Sequence, residues 1–221
     1  MALYPIFVEM KGRRILVIGG GHVSAEKVRG LLASEADVTL VSPELNDELR
    51  EHVEAGRIRH VERAYQDSDL DGGYELIMVA TDDGAINAEV AAGSKKRGIW
   101  VNAADDQKHC DFILPSVVRK GKITLAASTS GASPALARRL REELDAYLTD
   151  DMPALADLLA EVRQEIRKRG LKVDSDTWQQ AIDGQLRVLL AQRKYGQARA
   201  RLIERLGIEL TAVGGPVGST G

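Results

Sequence analysis

The sequence predicts an α/β fold: a doubly wound parallel sheet, then a small α+β segment, then a helical C-terminal segment. Three observations carry this reading. Residues 15–24, ILVIGGGHVS, run four apolar residues straight into three consecutive glycines. Through residues 10–103, short apolar runs alternate with stretches of helical periodicity. From Phe112 the pattern changes to FILPSVVRKGKITLAAS, two apolar strands joined across a basic turn, and only helical spacing follows.

Ile15 to Ile18 form the first strand, apolar throughout because both of its faces are covered. Gly19 makes the turn, Gly21 lets backbone come close to a pyrophosphate, and a helix opening near Val23 aims its free N–H groups at the phosphates. The third position of this fingerprint, where helix packs on strand, holds Ser24, small enough to replace glycine. Ala25, Val28, Leu31 and Leu32 recur at helical spacing and Val38 to Val41 follow as a second strand. Strand, turn, helix and strand thus fit the roughly 30 residues of a Rossmann-type unit. A glycine-rich turn with no ligand is the plainer alternative, and this context weighs against it. The second strand ends in Ser42, Pro43 and Glu44. No carboxylate stands at its tip, although Glu44 can reach a ribose from two residues on. No arginine waits there for a 2′-phosphate, so NAD is expected over NADP.

Leu45, Leu49 and Val53 mark a short helix, Ile58 to Val61 a strand, Glu75 to Thr81 a strongly apolar strand, Gly84 to Arg97 a helix and Gly98 to Asn102 a last strand. In such a sheet ligands lie at the carboxyl ends of the strands. The Gly19 to Gly21 turn, Ser42 to Glu44, Thr81-Asp82-Asp83, and Asn102 with Asp105 are therefore expected at one crevice. After the hairpin, Ser133-Pro134 offers an N-cap and a first-turn proline for a helix striped by Leu136, Leu140, Leu144 and Leu148. Three more helical segments are marked by Leu155 to Ile166, by Trp178, Ile182, Leu186 and Leu189, and by Ala198 to Leu206. The expected organisation is a nucleotide-binding domain over 1–112, a dimerisation and substrate segment over 113–150, a helical domain over 151–210 and a flexible tail over 211–221. A hairpin and one helix bury little by themselves, so 113–150 is expected to pair with a second copy.

The net charge of −3 argues against a nucleic-acid binder, but the halves differ. Residues 1–112 carry 13 basic and 20 acidic side chains, residues 113–221 carry 17 and 13. A mildly basic second half favours an anionic ligand, with solvated helix faces as the alternative. Cys110 is the only cysteine, so no internal disulfide forms. The N-terminus places its basic residues after its apolar ones, the reverse of a signal peptide, and no run is long enough to span a membrane. A cytoplasmic protein with no membrane partner is expected. The four histidines, His22, His52, His60 and His109, share no metal-ligand spacing, so no resident metal is expected. No serine sits in a nucleophile elbow. What remains is the strand-end cluster Asn102-Ala103-Ala104-Asp105-Asp106. Beside a nicotinamide, Asp105 is the natural acceptor for the proton released with a hydride; a capping or solvated carboxylate is the alternative. The loop Ser128-Thr129-Ser130-Gly131 ahead of a helix N-terminus can hold a carboxylate, or can simply cap that helix.

Four stretches in order, YPIFVEMKGRRILVIGGGHVSAEKV from residue 4, VATDDGAIN at 79–87, VNAADD at 101–106 and DFILPSVVRKGKITLAASTSGASPALARRLREEL at 111–144, resemble the precorrin-2 dehydrogenase module of siroheme synthases over nearly the whole chain. The resemblance implies NAD-dependent oxidation of precorrin-2 to sirohydrochlorin on a homodimer with interlocking central segments. In some members the module also inserts ferrous iron, and Asp105 and His109 could then serve. By position, the family's functional aspartate falls on Asp105, with Asn102 before it, and its cofactor-binding positions on His22, Val23, Pro43 and Glu44. Gly19, Gly21 and Thr81 complete the expected cofactor set. The substrate loop falls on Ser128, Thr129, Ser130, Gly131 and Ser133, with Arg138 beyond it. Where one branch has a phosphorylated serine, this sequence has Thr129. No methyltransferase stretch follows, so the resemblance implies that precorrin-2 comes from a separate protein. Precorrin-2 bears eight carboxylates, which Lys120, Lys122, Arg138, Arg139 and Arg141 could meet. The competing reading is a regulatory module that binds NAD without consuming it.

Overall fold

The structure, a computed structural model, describes residues 3–104 and 107–209. These divide into two compact units, the first ending at Leu114 and the second starting at Pro115, so the hairpin belongs with the helices that follow it.

The first unit runs β1 (Arg14–Ile18), α1 (His22–Leu32), β2 (Asp37–Val41), α2 (Asp47–Glu54), β3 (Arg59–Val61), β4 (Leu76–Val79), α3 (Gly84–Lys96) and β5 (Trp100–Ala103). All strands are parallel, in the order β3-β2-β1-β4-β5. The chain starts at the centre, builds outward through β2 and β3, then returns to lay β4 on the other side of β1. The strand order reverses between β1 and β4, and ligands of such sheets bind at that switch point. Two apolar layers hold the sheet. Ile15, Val17, Leu40 and Met78 pack with Val28 of α1 and Leu49 of α2, while Leu16, Ile18, Ile77 and Val101 pack with Val90 of α3. Each such fully buried side chain contributes about 1.5–3 kcal/mol. The apolar run expected over Glu75 to Thr81 yields only Leu76–Val79 as strand; Ala80 and Thr81 already form the rim of the sheet.

The second unit holds β6 (Ser116–Lys120) and β7 (Ile123–Ala127), paired antiparallel, then α4 (Pro134–Tyr147), α5 (Asp151–Lys168), α6 (Ser175–Ala181), α7 (Gly184–Ala191) and α8 (Tyr195–Arg205). The run through Trp178, Ile182, Leu186 and Leu189 is two helices, not the single one its spacing suggests. Asp183 breaks it: its carboxylate accepts the N–H of Leu186 at 2.8 Å and caps α7, and four helices rather than three follow α4. Helices α5, α7 and α8 close around Leu158, Val162, Leu186, Ala198 and Leu202. Helix α4 buries none of its residues, and Leu136 on it is 51% exposed. Among the described residues no helix is long and apolar enough to cross a membrane. The tail expected to be flexible, 211–221, lies outside the described residues.

Candidate nucleotide site at the switch point

The three glycines after β1 have three different surroundings. Gly19 takes φ +111°, and a Cβ built on it lies 2.3 Å from the carbonyl oxygen of Ala80, at the end of β4. A Cβ on Gly20 lies 1.8 Å from the carbonyl oxygen of Glu44 and 2.7 Å from Ser42 Oγ. A Cβ on Gly21 meets nothing within 4 Å. The first two glycines let the turn press against the strand-end loops on either side; the third faces open space. The requirement at Gly20 escaped the sequence reading, since it comes from a loop two dozen residues away.

Helix α1 starts from Gly21 in extended conformation with no side chain on its first N–H groups. The other helices of this unit are capped: Asn46 Oδ1 accepts the Leu49 N–H at 2.9 Å, and Asp83 Oδ1 accepts the Ala85 N–H at 2.8 Å. His22 and Val23 are exposed, and Ser24 is buried with Oγ 3.5 Å from the Ala80 carbonyl. Ser24 therefore fills the helix–strand contact expected of it. An uncapped N-terminus carries partial positive charge and unsatisfied donors, which suits a phosphate.

The Ser42–Glu44 loop is fastened beside this turn. Ser42 Oγ donates to the Glu44 carbonyl at 2.7 Å, the Asn46 N–H donates to the Gly20 carbonyl at 2.9 Å, and the Gly19 N–H donates to the Val41 carbonyl at 3.0 Å. His60 Nε2 lies 2.9 Å from the Ser42 carbonyl oxygen. Pro43 and Glu44 remain exposed. Across helix α1, Arg29 holds the Glu48 carboxyl below its usual range through their hydrogen bond, tying α2 to α1. Gly19, Gly21, His22, Val23, Pro43 and Glu44 are thus brought together.

Thr81 stands one strand over, after Ala80, whose N–H donates to the Ile18 carbonyl at 2.9 Å. Its hydroxyl lies 2.8 Å from Asn87 Oδ1, and Asn87 Nδ2 returns a bond to the Thr81 carbonyl at 3.0 Å. Thr81 therefore closes the β4–α3 loop with Asn87, a buried residue the sequence reading passed over; an asparagine among apolar helix positions was the available signal. Asn102, 7% exposed, is also engaged inside the protein. Its Oδ1 accepts from Lys27 Nζ at 2.6 Å and its Nδ2 donates to the Phe112 carbonyl at 2.9 Å. Asp105 and Asp106 lie outside the described residues. Gln107–His109 make one 3-10 turn, on which His109 is exposed.

In the second unit the expected substrate loop is a capping loop of its own. Thr129 Oγ1 donates to the Ser133 carbonyl at 3.1 Å and accepts the Ser133 N–H at 3.2 Å, and Ser128 Oγ accepts the Ser130 N–H at 3.1 Å. Ser133 Oγ accepts the Leu136 N–H at 3.2 Å as the α4 cap. Ser130 and Gly131 both take positive φ, 53° and 83°. Arg138, 76% exposed at its side chain, pairs with Glu142 one turn on.

Residues 6–116 match the family described as Putative NAD(P)-binding, and residues 120–147 match the Sirohaem biosynthesis protein central family. The solved structure of SirC, precorrin-2 dehydrogenase, superposes with a TM-score of 0.74 at 30% identity, covering 90% of this chain and 100% of that one. The chain belongs to the precorrin-2 dehydrogenase family. Siroheme synthases of Photorhabdus laumondii and Photobacterium profundum are 37% and 36% identical over 93% and 92% of the chain. The chain spans about half the length of these curated relatives, 44% of each. As a member of the precorrin-2 dehydrogenase family it has an NAD(P)-binding Rossmann-type sheet followed by a helical C-terminal segment, the fold it shares with SirC.

Proposed function

We propose that this chain oxidises precorrin-2 to sirohydrochlorin with NAD, as a cytoplasmic homodimer. The observation that carries the reading is the uncapped α1 N-terminus beside an open Gly21, at the switch point of a sheet whose chain belongs to this family. The residues fit a dinucleotide. The first-turn N–H groups of α1, from His22 and Val23, take the pyrophosphate that Gly21 leaves room for, with Gly19 shaping the turn. Pro43 and Glu44 border the adenosine ribose, and with no arginine beside them NAD is favoured over NADP. Thr81 forms the opposite rim, and Asn102 acts by fixing the backbone that follows β5. Bound NAD supplies the hydride acceptor. The carboxylate of Asp105 accepts the proton that leaves with the hydride.

For a substrate bearing eight carboxylates, Ser128, Thr129, Ser130 and Gly131 offer hydroxyl and backbone donors, and Arg138 a cation one turn into α4. Ser133 serves through the cap that holds this loop to the helix. The homodimer is supported by α4, which buries none of its residues within its own unit and leaves Leu136, at the start of its leucine stripe, 51% exposed. Fe2+ insertion into the product is a second activity the family resemblance allows.

The test is to incubate purified protein with precorrin-2 and NAD and follow sirohydrochlorin and NADH absorbance together. Equal formation of both products is expected, and adding Fe2+ afterwards reads the insertion step directly. NAD binding without turnover would instead establish a sensor module.

A further inference from the structure

We propose that Lys27 is a positioning residue for the loop that carries Asp105; the proposal rests on the reading of Asp105 given above. Lys27 lies in the second turn of α1, the helix whose first turn borders the open glycine. Its ammonium reaches across β4 to Asn102 at the end of β5, 2.6 Å from Oδ1. Alternation along β5 sends Val101 and Ala103 to the α3 side and Asn102 to the α1 side, where Lys27 meets it. An ammonium only donates, so Lys27 fixes which end of the Asn102 amide is which, and Nδ2 is left to face the Phe112 carbonyl.

That orientation matters because the excursion from Ala103 to Phe112 is closed at its base by side chains. Asn102 holds Phe112. Cys110 Sγ accepts the Ala103 N–H at 3.2 Å and donates to the Ala103 carbonyl at 3.1 Å. Asp111 Oδ2 accepts the Val101 N–H at 3.1 Å, and the Asp111 N–H donates to the Val101 carbonyl at 2.9 Å. Within this base Lys27 is the contribution of the cofactor helix. It links the turn that receives the dinucleotide to both ends of the segment bearing the proton acceptor. Without it Asn102 Oδ1 is left buried and loses the donor that orients its amide, so the base of the loop loosens while the glycine turn is untouched.

Lys27→Met keeps the stem and removes the donor; Lys27→Arg restores a cation. Hydrogen exchange, NAD calorimetry and steady-state kinetics are measured on each. Lys27→Met is expected to speed amide exchange at Ala103 and Asp111 about ten-fold, with Leu16 and Val17 at the sheet centre unchanged. Its kcat for precorrin-2 should fall about ten-fold with KM and NAD affinity within about two-fold, and Lys27→Arg should recover most of the loss. Wild-type exchange in Lys27→Met, faster exchange throughout the sheet, or a loss of NAD affinity as large as the loss of kcat would each overturn the proposal. If wild-type protein oxidises no precorrin-2, the role of Asp105 falls, while the exchange measurement still decides whether Lys27 holds the loop base.

Discussion

Strand β1 and helix α4 are built from the same kinds of apolar residue and end in opposite states. Ile15, Leu16, Val17 and Ile18 are sealed, whereas on α4 Leu136 is exposed, Leu140 and Leu144 are half-buried, and only Leu148, just past the end of the helix, is buried. The cause is connectivity. Each crossover in a parallel sheet returns a helix onto one of its faces, so β1 at the centre is covered from both sides. The two-stranded hairpin is met by α4 and by α5, whose Asp157 pairs with Lys122 at 2.8 Å, but α4 itself buries none of its residues and leaves Leu136 exposed. Closed surfaces of this molecule set its stability; open ones are where other molecules are expected.

The hardest way to break that contrast is to charge both surfaces. Val17→Asp should cost about 4 kcal/mol or more, because a carboxylate at the sheet centre has neither water nor a partner, and the first unit should fail to fold by circular dichroism. Leu136→Asp should leave folding within about 0.5 kcal/mol of wild type yet weaken self-association at least about 100-fold in sedimentation velocity. A Leu136→Asp protein that sediments as wild type would mean that α4 is not the dimer surface.

The glycines repeat the contrast on a smaller scale. Gly20→Val drives a side chain into the Glu44 carbonyl and should lower stability by about 3 kcal/mol in urea titration, while Gly21→Leu should leave stability nearly unchanged. Equal destabilisation by both would show that the turn has no open side. At the proton-handling position, Asp105→Ala should lower turnover about 100-fold with NAD affinity nearly unchanged. His109→Ala is the companion variant: a larger loss there than at Asp105 would move the role to the histidine.

The smallest effect concerns the break between α6 and α7. Hydrogen bonding to Arg201, and then to the Leu186 N–H, pulls the Asp183 carboxyl down to about 2. The ionised form therefore stabilises the second unit fully above the ordinary Asp range near pH 4 and loses that contribution as pH falls through about 2. The contribution is at most about 2 kcal/mol, since the side chain is partly in water. Urea midpoints of wild type and Asp183→Asn should differ at pH 5 and converge toward pH 2.

Much of this was legible in the residues because local periodicity and turn chemistry decide it. The strand–glycine–helix unit, the hairpin at 116–127 and the Ser133-Pro134 start of α4 are each set by a few neighbouring residues. The demand on Gly20 was not legible, because it arises only when parallel pairing sets the β2–α2 loop against the turn. Asn102 was likewise obscure as a buried amide, since its partners, Lys27 on α1 and the Phe112 carbonyl, are brought near by tertiary structure alone, whereas Asn87 bonds Thr81 only six residues away. Asp183 shows the reverse: a cap was written in the sequence as Asp183-Gly184, but apolar spacing of 3.6 ran straight through it and hid the break.

The central claim is that an open, uncapped glycine turn at the switch point binds NAD. Isothermal calorimetry of NAD and NADP against wild type and Gly21→Leu tests it most directly. The account predicts that wild type binds NAD at least about ten-fold more tightly than NADP and that Gly21→Leu, still folded, binds neither measurably. Unchanged NAD affinity in Gly21→Leu would contradict it.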